Sequence, residues 1–155
     1  MIQLTAFTDG ACSPNPGPGG WGAIIRVHGA PDIELSGFDP ATTNNRMELM
    51  GPIMVLERFV PRCDILIVSD SKYVVRGATE WMSGWRGRGW KRTRGGGGGQ
   101  ILNLNLWQRL DAAMSLHQVR FQWVRGHNGH PENERADALA VRAMLSGRTR
   151  KRAVA

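Results

Sequence analysis

The sequence predicts an α/β domain in which helices pack on a mixed five-stranded sheet. Three observations predict it. Apolar alternation or continuous apolar runs mark five strands, the first three of them consecutive. Apolar residues at helical spacing fill the stretches between the later strands. The resulting order (three strands, a helix, a strand, helices, a strand, a helix) suits an antiparallel meander joined to parallel strands in a single layer. With 155 residues, the chain can close one core without disulfides or metal staples.

Residues 1–8 alternate apolar and polar side chains and run into Asp9-Gly10, a strand followed by a turn. Ser13-Pro14-Asn15-Pro16-Gly17-Pro18-Gly19-Gly20 predicts a tight loop, because its prolines and glycines oppose helix and ladder alike. Strand character returns over residues 21–27 and again over 33–38. Thr42-Thr43-Asn44-Asn45 then supplies capping chemistry for a helix on which Met47, Met50, Ile53 and Met54 recur at i, i+3 and i+4 spacing. Pro52 lies inside that helix and cannot donate to the Glu48 carbonyl. With Gly51 beside it, an interior proline costing roughly 3 kcal/mol predicts a local bend. Ile65-Leu66-Ile67-Val68 has the unbroken apolar character of a strand buried on both faces, ending at Ser69-Asp70-Ser71.

Residues 73–79 predict a short helix, 104–116 a longer one, 119–124 a strand and 131–145 the last helix. Pro131 suits the first turn of that last helix, and Glu132 and Glu134 suit its dipole. Residues 81–94 mix tryptophan with arginine and lysine, and 95–99 are all glycine. The domain is expected to span residues 1–146, leaving 147–155 as a basic, disordered tail.

A net charge of +7 favours polyanions, nucleic acid foremost, although a merely soluble basic protein would carry the same sign. Two cysteines, Cys12 and Cys63, are too few for a disulfide framework and lack metal-ligand spacing, which points to a reducing compartment. No apolar run is long enough to span a bilayer, and the first residues lack the plan of a secretion signal. Cytoplasm is the expected location.

Asp9 and Asp70 each follow an apolar strand, at the sheet rim where open α/β folds place their sites. If the first and fourth strands are neighbours, the two carboxylates meet, and their repulsion calls for a cation between them. Magnesium fits, as a hard ion that takes oxygen ligands and keeps waters for a phosphate to displace. Glu48 and Asp137, each in apolar surroundings on a helix, are candidates to complete the cluster. Taken singly, Asp9 and Asp70 are more often turn or cap residues, and Glu48 and Asp137 more often members of a solvated helix face.

Several blocks in order nevertheless form a specific pattern: Phe7-Thr8-Asp9-Gly10, Asn15-Pro16-Gly17-Pro18-Gly19-Gly20, Thr43-Asn44-Asn45-Arg46-Met47-Glu48-Leu49 and Ser69-Asp70-Ser71. Tyr73-Val74, Leu106-Trp107-Gln108-Arg109-Leu110, Trp123-Val124-Arg125-Gly126-His127 and Gly129-His130-Pro131-Glu132-Asn133-Glu134-Arg135, with Asp137, continue it. Over nearly its whole length the chain resembles bacterial ribonuclease HI, the type 1 ribonuclease H family. The resemblance implies a ribonuclease H-like fold with helices on both faces of the sheet. It also implies a magnesium-dependent endonuclease that cuts the RNA strand of RNA–DNA hybrids, leaving 5′ phosphates and 3′ hydroxyls. Its expected tasks are the removal of RNA primers and of R-loop RNA.

In that reading Asp9, Glu48, Asp70 and Asp137 hold two magnesium ions, with manganese as the substitute, and His127 assists proton transfer or product departure. Cys12 (through its backbone), Asn15, Asn44 and Asn45 match positions that read the minor groove, where 2′-hydroxyls mark one strand only. Thr43 and Asn103 match a DNA-phosphate site. Trp81, Trp85, Trp90 and Lys91 match the basic handle that meets the DNA strand, although core packing competes for the tryptophans. Three departures stand out: the glycine run 95–99, Ala41 in place of a frequent arginine, and Lys72 in place of glutamine. The expected partners are an RNA–DNA hybrid and, through the basic surface, a single-stranded-DNA-binding protein. No membrane and no second copy are expected. The rivals are an exonuclease, resolvase or integrase with similar carboxylates, and a binding module without chemistry.

Overall fold

The computed structural model describes residues 1–126 and 129–154, with side chains as far as Arg148. Strands β1 (Ile2–Cys12), β2 (Gly17–Val27) and β3 (Ile33–Thr42) form the antiparallel meander. Strand β4 (Cys63–Ser69) adds parallel to β1, and β5 (Gln118–Trp123) parallel to β4, giving the order β3-β2-β1-β4-β5. Among the described residues there are five α-helices: α1 (Asn44–Arg58), α2 (Lys72–Arg76), α3 (Met82–Gly87), α4 (Leu104–Met114) and α5 (Pro131–Val154). A π-helical turn, Gly77–Trp81, joins α2 to α3.

Strand alternation divides the apolar residues between two faces. Ala6, Ile25 and Ile67 face a main core shared with Leu49, Ile53 and Leu56 of α1 and Trp107 and Leu110 of α4. Their neighbours Phe7, Ile24 and Val68 point the other way and meet Ala136 of α5. Helices therefore lie on both faces of one mixed sheet, as expected. Among the described residues, no helix is long and apolar enough to cross a membrane.

Three expectations need correction. β1 does not turn at Asp9-Gly10; it runs on to Cys12, so Asp9 lies inside the strand, opposite Gly22. β2 begins at Gly17, within the predicted loop. The glycines that argue against a strand serve close packing instead: a Cβ on Gly22 would stand 2.6 Å from the Ala136 carbonyl oxygen, and one on Gly20 would collide with that of Ala140. Finally, α5 continues through the residues expected as a disordered tail, reaching Val154. Gly147 is buried there against the Phe38 ring, which anchors the helix past the expected boundary.

Helix α1 runs unbroken through Pro52. Gly51 has a separate role. A Cβ there would lie 3.0 Å from that of Thr8, so the glycine lets α1 settle onto β1 and brings Glu48 over the strand that carries Asp9.

Candidate active site

Asp9 in β1, Glu48 in α1 and Asp70 just beyond β4 come from three distant parts of the chain. Each offers a carboxylate oxygen within 4.8 Å of the others. The β1–β4 pairing ends at Thr8 and Ser69, so Asp9 and Asp70 emerge side by side where that ladder stops. Thr43 caps α1 by accepting the Arg46 amide at 3.2 Å, which fixes the first turn and the phase that points Glu48 inward. Asp9 and Glu48 are only 5% and 6% exposed. Asp137, the fourth expected member, stands outside this trio, but its charge acts on both Asp9 and Glu48.

Such crowding is unfavourable for bare carboxylates. Burial, and next the charge of Asp70, push Asp9 up to about 8, against the pull of Glu48 and the Gly10 amide. That amide donates to Asp9 Oδ1 at 2.9 Å. Glu48 is raised well above the ordinary range by burial first and the charges of Asp9 and Asp70 next. One of its oxygens, Oε2, is buried without a hydrogen-bond partner. An all-oxygen donor set with an unsatisfied buried acceptor and excess negative charge fits a hard divalent cation, which would relieve both defects at once.

The expected substrate-side residues cluster around the α1 N-terminus. Asn15 Oδ1 accepts the Asn44 amide at 3.2 Å, tying the proline-rich loop to the helix and leaving the Asn15 amino group as donor. The Cys12 thiol sits 3.3 Å from the Pro14 carbonyl oxygen, and burial pushes its titration up, as suits a packed, inert thiol. Asn45 is exposed. Asn103 adopts a left-handed φ of 60°, donates to the Tyr73 hydroxyl at 3.0 Å and accepts from Arg46 at 3.3 Å. His127 lies outside the described residues.

Trp81, Trp85 and Trp90 are half-buried, and all three pack on the main core. Trp81 and Trp85 meet Trp107 edge-on, at 6.4 and 5.4 Å between ring centroids. With Tyr73, Ile101 and Leu102 they line a cavity of about 720 Å³. Core packing and an open aromatic face thus coexist in the same rings. The arginines here are not simply solvated. Arg88 donates to the Lys91 and Arg92 carbonyls, and Arg92 to that of Gly98, bracing a segment in which Gly96, Gly98 and Gly99 all take positive φ. Lys91 is exposed.

A family model described as RNase H matches residues 2–145. The chain belongs to the ribonuclease H family. A curated ribonuclease H from Halorhodospira halophila is 56% identical, with 88% of this chain and 89% of that protein covered. The one from Alcanivorax borkumensis is 52% identical, covering 93% of each. Among solved structures, LC9-RNase H1, described as a type 1 RNase H with the type 2 active-site motif, is 36% identical. It superposes with a TM-score of 0.82 over 94% of this chain and 74% of that one. LC11-RNase H1 in complex with RNA/DNA hybrid, at 21% identity and a TM-score of 0.67, shares the fold. Membership makes the protein a nuclease of the hydrolase class that acts on RNA in RNA–DNA hybrids.

Sequence reasoning missed the framework behind the site. Arg46 ties α1 to Asn103 and Asn105, at 3.3 and 3.0 Å. Tyr73 accepts both Asn103 and the Trp107 indole, each at 3.0 Å. Both residues stand inside the blocks that carry the family resemblance, which was the only signal available for them.

Proposed function

We propose that this ribonuclease H is an endonuclease that cuts the RNA strand of hybrids by two-metal-ion hydrolysis, leaving 5′ phosphates and 3′ hydroxyls. The observation that carries this reading is the convergence of Asp9, Glu48 and Asp70 within 4.8 Å, with a buried Glu48 oxygen awaiting a partner. Asp9, Glu48 and Asp70 would hold magnesium, or manganese in its place, with Asp137 adding charge from α5. When bound, the ions supply an activated water and neutralise charge at the scissile phosphate. His127, next to Gly126, assigns itself to proton transfer or product departure by its match to the family histidine.

The chain's own contribution is placement. Asn15, Asn44 and Asn45 offer amides to 2′-hydroxyls and base edges in the minor groove, with the backbone at Cys12 beside them. Thr43 and Asn103 receive a DNA phosphate. Trp81, Trp85 and Trp90 offer flat apolar surface to DNA sugars, while Lys91 adds a cation at the rim. The complex of LC11-RNase H1 with an RNA/DNA hybrid supports the same substrate here. In the cell we assign it, as a cytoplasmic monomer, to RNA primers and R-loops. Its excess positive charge suits recruitment by a single-stranded-DNA-binding protein.

A DNA duplex with an embedded RNA tract and blocked ends tests this. Internal cleavage with 3′ hydroxyl products, abolished by chelation and lowered at least about 100-fold in Asp70→Asn, is the expected result; outer-shell changes reach only about that size. Trimming from ends, or full activity in either control, overturns it.

A further inference from the structure

Asp70 is the least buried member of the carboxylate trio, and its side chain accepts no hydrogen bond among the described residues. The direction of its carboxylate is therefore inherited from its main chain. That main chain is held by the end of β5. The Trp123 indole N–H donates to the Asp70 carbonyl at 3.0 Å. Ser69 pairs with Trp123 across the β4–β5 ladder, and the Val124 amide extends the ladder by donating to the Ser69 carbonyl at 3.0 Å. Gly126 approaches so closely that a Cβ there would stand 2.6 Å from Asp70 Oδ2.

Trp123 itself is not a core residue. It is 40% exposed and belongs to neither apolar cluster. Its contacts converge on the Asp70 turn instead: the indole nitrogen reaches the Asp70 carbonyl, and the Lys72 ammonium rests 4.9 Å from the ring centroid. Both ends of the Asp70-Ser71-Lys72 turn are thus fastened to a single ring. Ser71 makes the turn rigid from within, its amide donating to Ser69 Oγ and its hydroxyl capping α2 at Val74.

We propose that Trp123 is a positioning residue for Asp70, setting the cation-binding direction of its carboxylate through the indole–carbonyl hydrogen bond. The proposal rests on the reading of the trio as a divalent-cation site. Trp123→Phe removes the N–H and keeps an aromatic ring under Lys72. Arg120→Ala, on the same strand and exposed, is the control. Titration of the free proteins with MgCl2 alone, followed by amide NMR shifts, is expected to show about 10-fold weaker binding in Trp123→Phe, the usual size of an outer-shell loss. Wild type and Arg120→Ala should be equal, and thermal midpoints close in all three. On a hybrid, Trp123→Phe should lose kcat at low magnesium, recover it at high magnesium and keep its KM. Equal magnesium affinity in Trp123→Phe and wild type overturns the proposal while leaving the cation-site reading intact. So does a collapse of its melting midpoint, which would make the ring a structural element. Absence of magnesium binding to the wild type overturns both.

Discussion

Glu48 shows how far a single side chain can be set against its surroundings. It is 6% exposed, one carboxylate oxygen has no partner, and Asp9 and Asp70 lie within 4.8 Å. A residue chosen for folding alone would not be acidic here. Glu48→Gln removes the titratable charge and retains the shape, and its amide brings two permanent donors to a cluster rich in acceptors. We expect the ion-free variant to be more stable than wild type by roughly 1–3 kcal/mol, the scale of an unsatisfied buried polar group. Its hybrid cleavage should be almost lost. Chemical denaturation in chelator, beside a cleavage assay in magnesium, checks both halves. A less stable Glu48→Gln would mean that the buried charge is already compensated without a cation.

At the scale of elements, the part of the site least legible in the sequence is the place where β2 meets α5. The acids Asp9 and Asp70 beside apolar strand residues, the cap at Thr43 and the apolar periodicity of α1 can all be read locally, and with them most of the sheet. The start of β2 could not, because Gly17, Gly19, Gly20 and Gly22 carry no strand propensity. For Gly20 and Gly22 the reason is tertiary: α5 lies directly on the strand backbone, with Gly20 against Ala140 and Gly22 facing Ala136 and Ala140. The same contact makes β1 longer than its apolar pattern, since Asp9 to Cys12 pair with that glycine strand. At the end of α5, basic composition hides a related contact, the packing of Gly147 on Phe38. Propensity and packing give opposite signs for Gly22→Ala. Strand propensity alone favours alanine. A Cβ placed 2.6 Å from the Ala136 carbonyl instead predicts a loss of about 1–3 kcal/mol by overpacking. The urea midpoint decides: an unchanged or raised value would show that α5 does not sit this close.

The whole molecule couples its fold to the charge state of its centre, and the sign of that coupling is fixed. Burial and Asp70 raise Asp9 from the ordinary 3.8 to about 8, and Glu48 moves in the same direction. Between those values the folded state holds a proton that the unfolded chain has released. The ion-free protein must therefore lose stability as pH rises from about 4 through about 8. The surface network acts in a different window. Asp32 is held low by Arg26 and Arg135, and Glu132 by its own amide and Arg26, so their contribution is lost only as pH falls below the ordinary carboxylate range. Divalent cations reverse the upper slope, because binding displaces the retained protons and replaces repulsion with coordination. Urea denaturation at pH 5, 7 and 8.5 should show falling stability in chelator and a flat or rising trend in saturating magnesium. Magnesium affinity should itself climb with pH until about 8, with proton release detectable in weak buffer. An ion-free protein equally stable at pH 5 and 8.5 would show that its carboxylates ionise without strain, and that the centre does not need a cation to balance it.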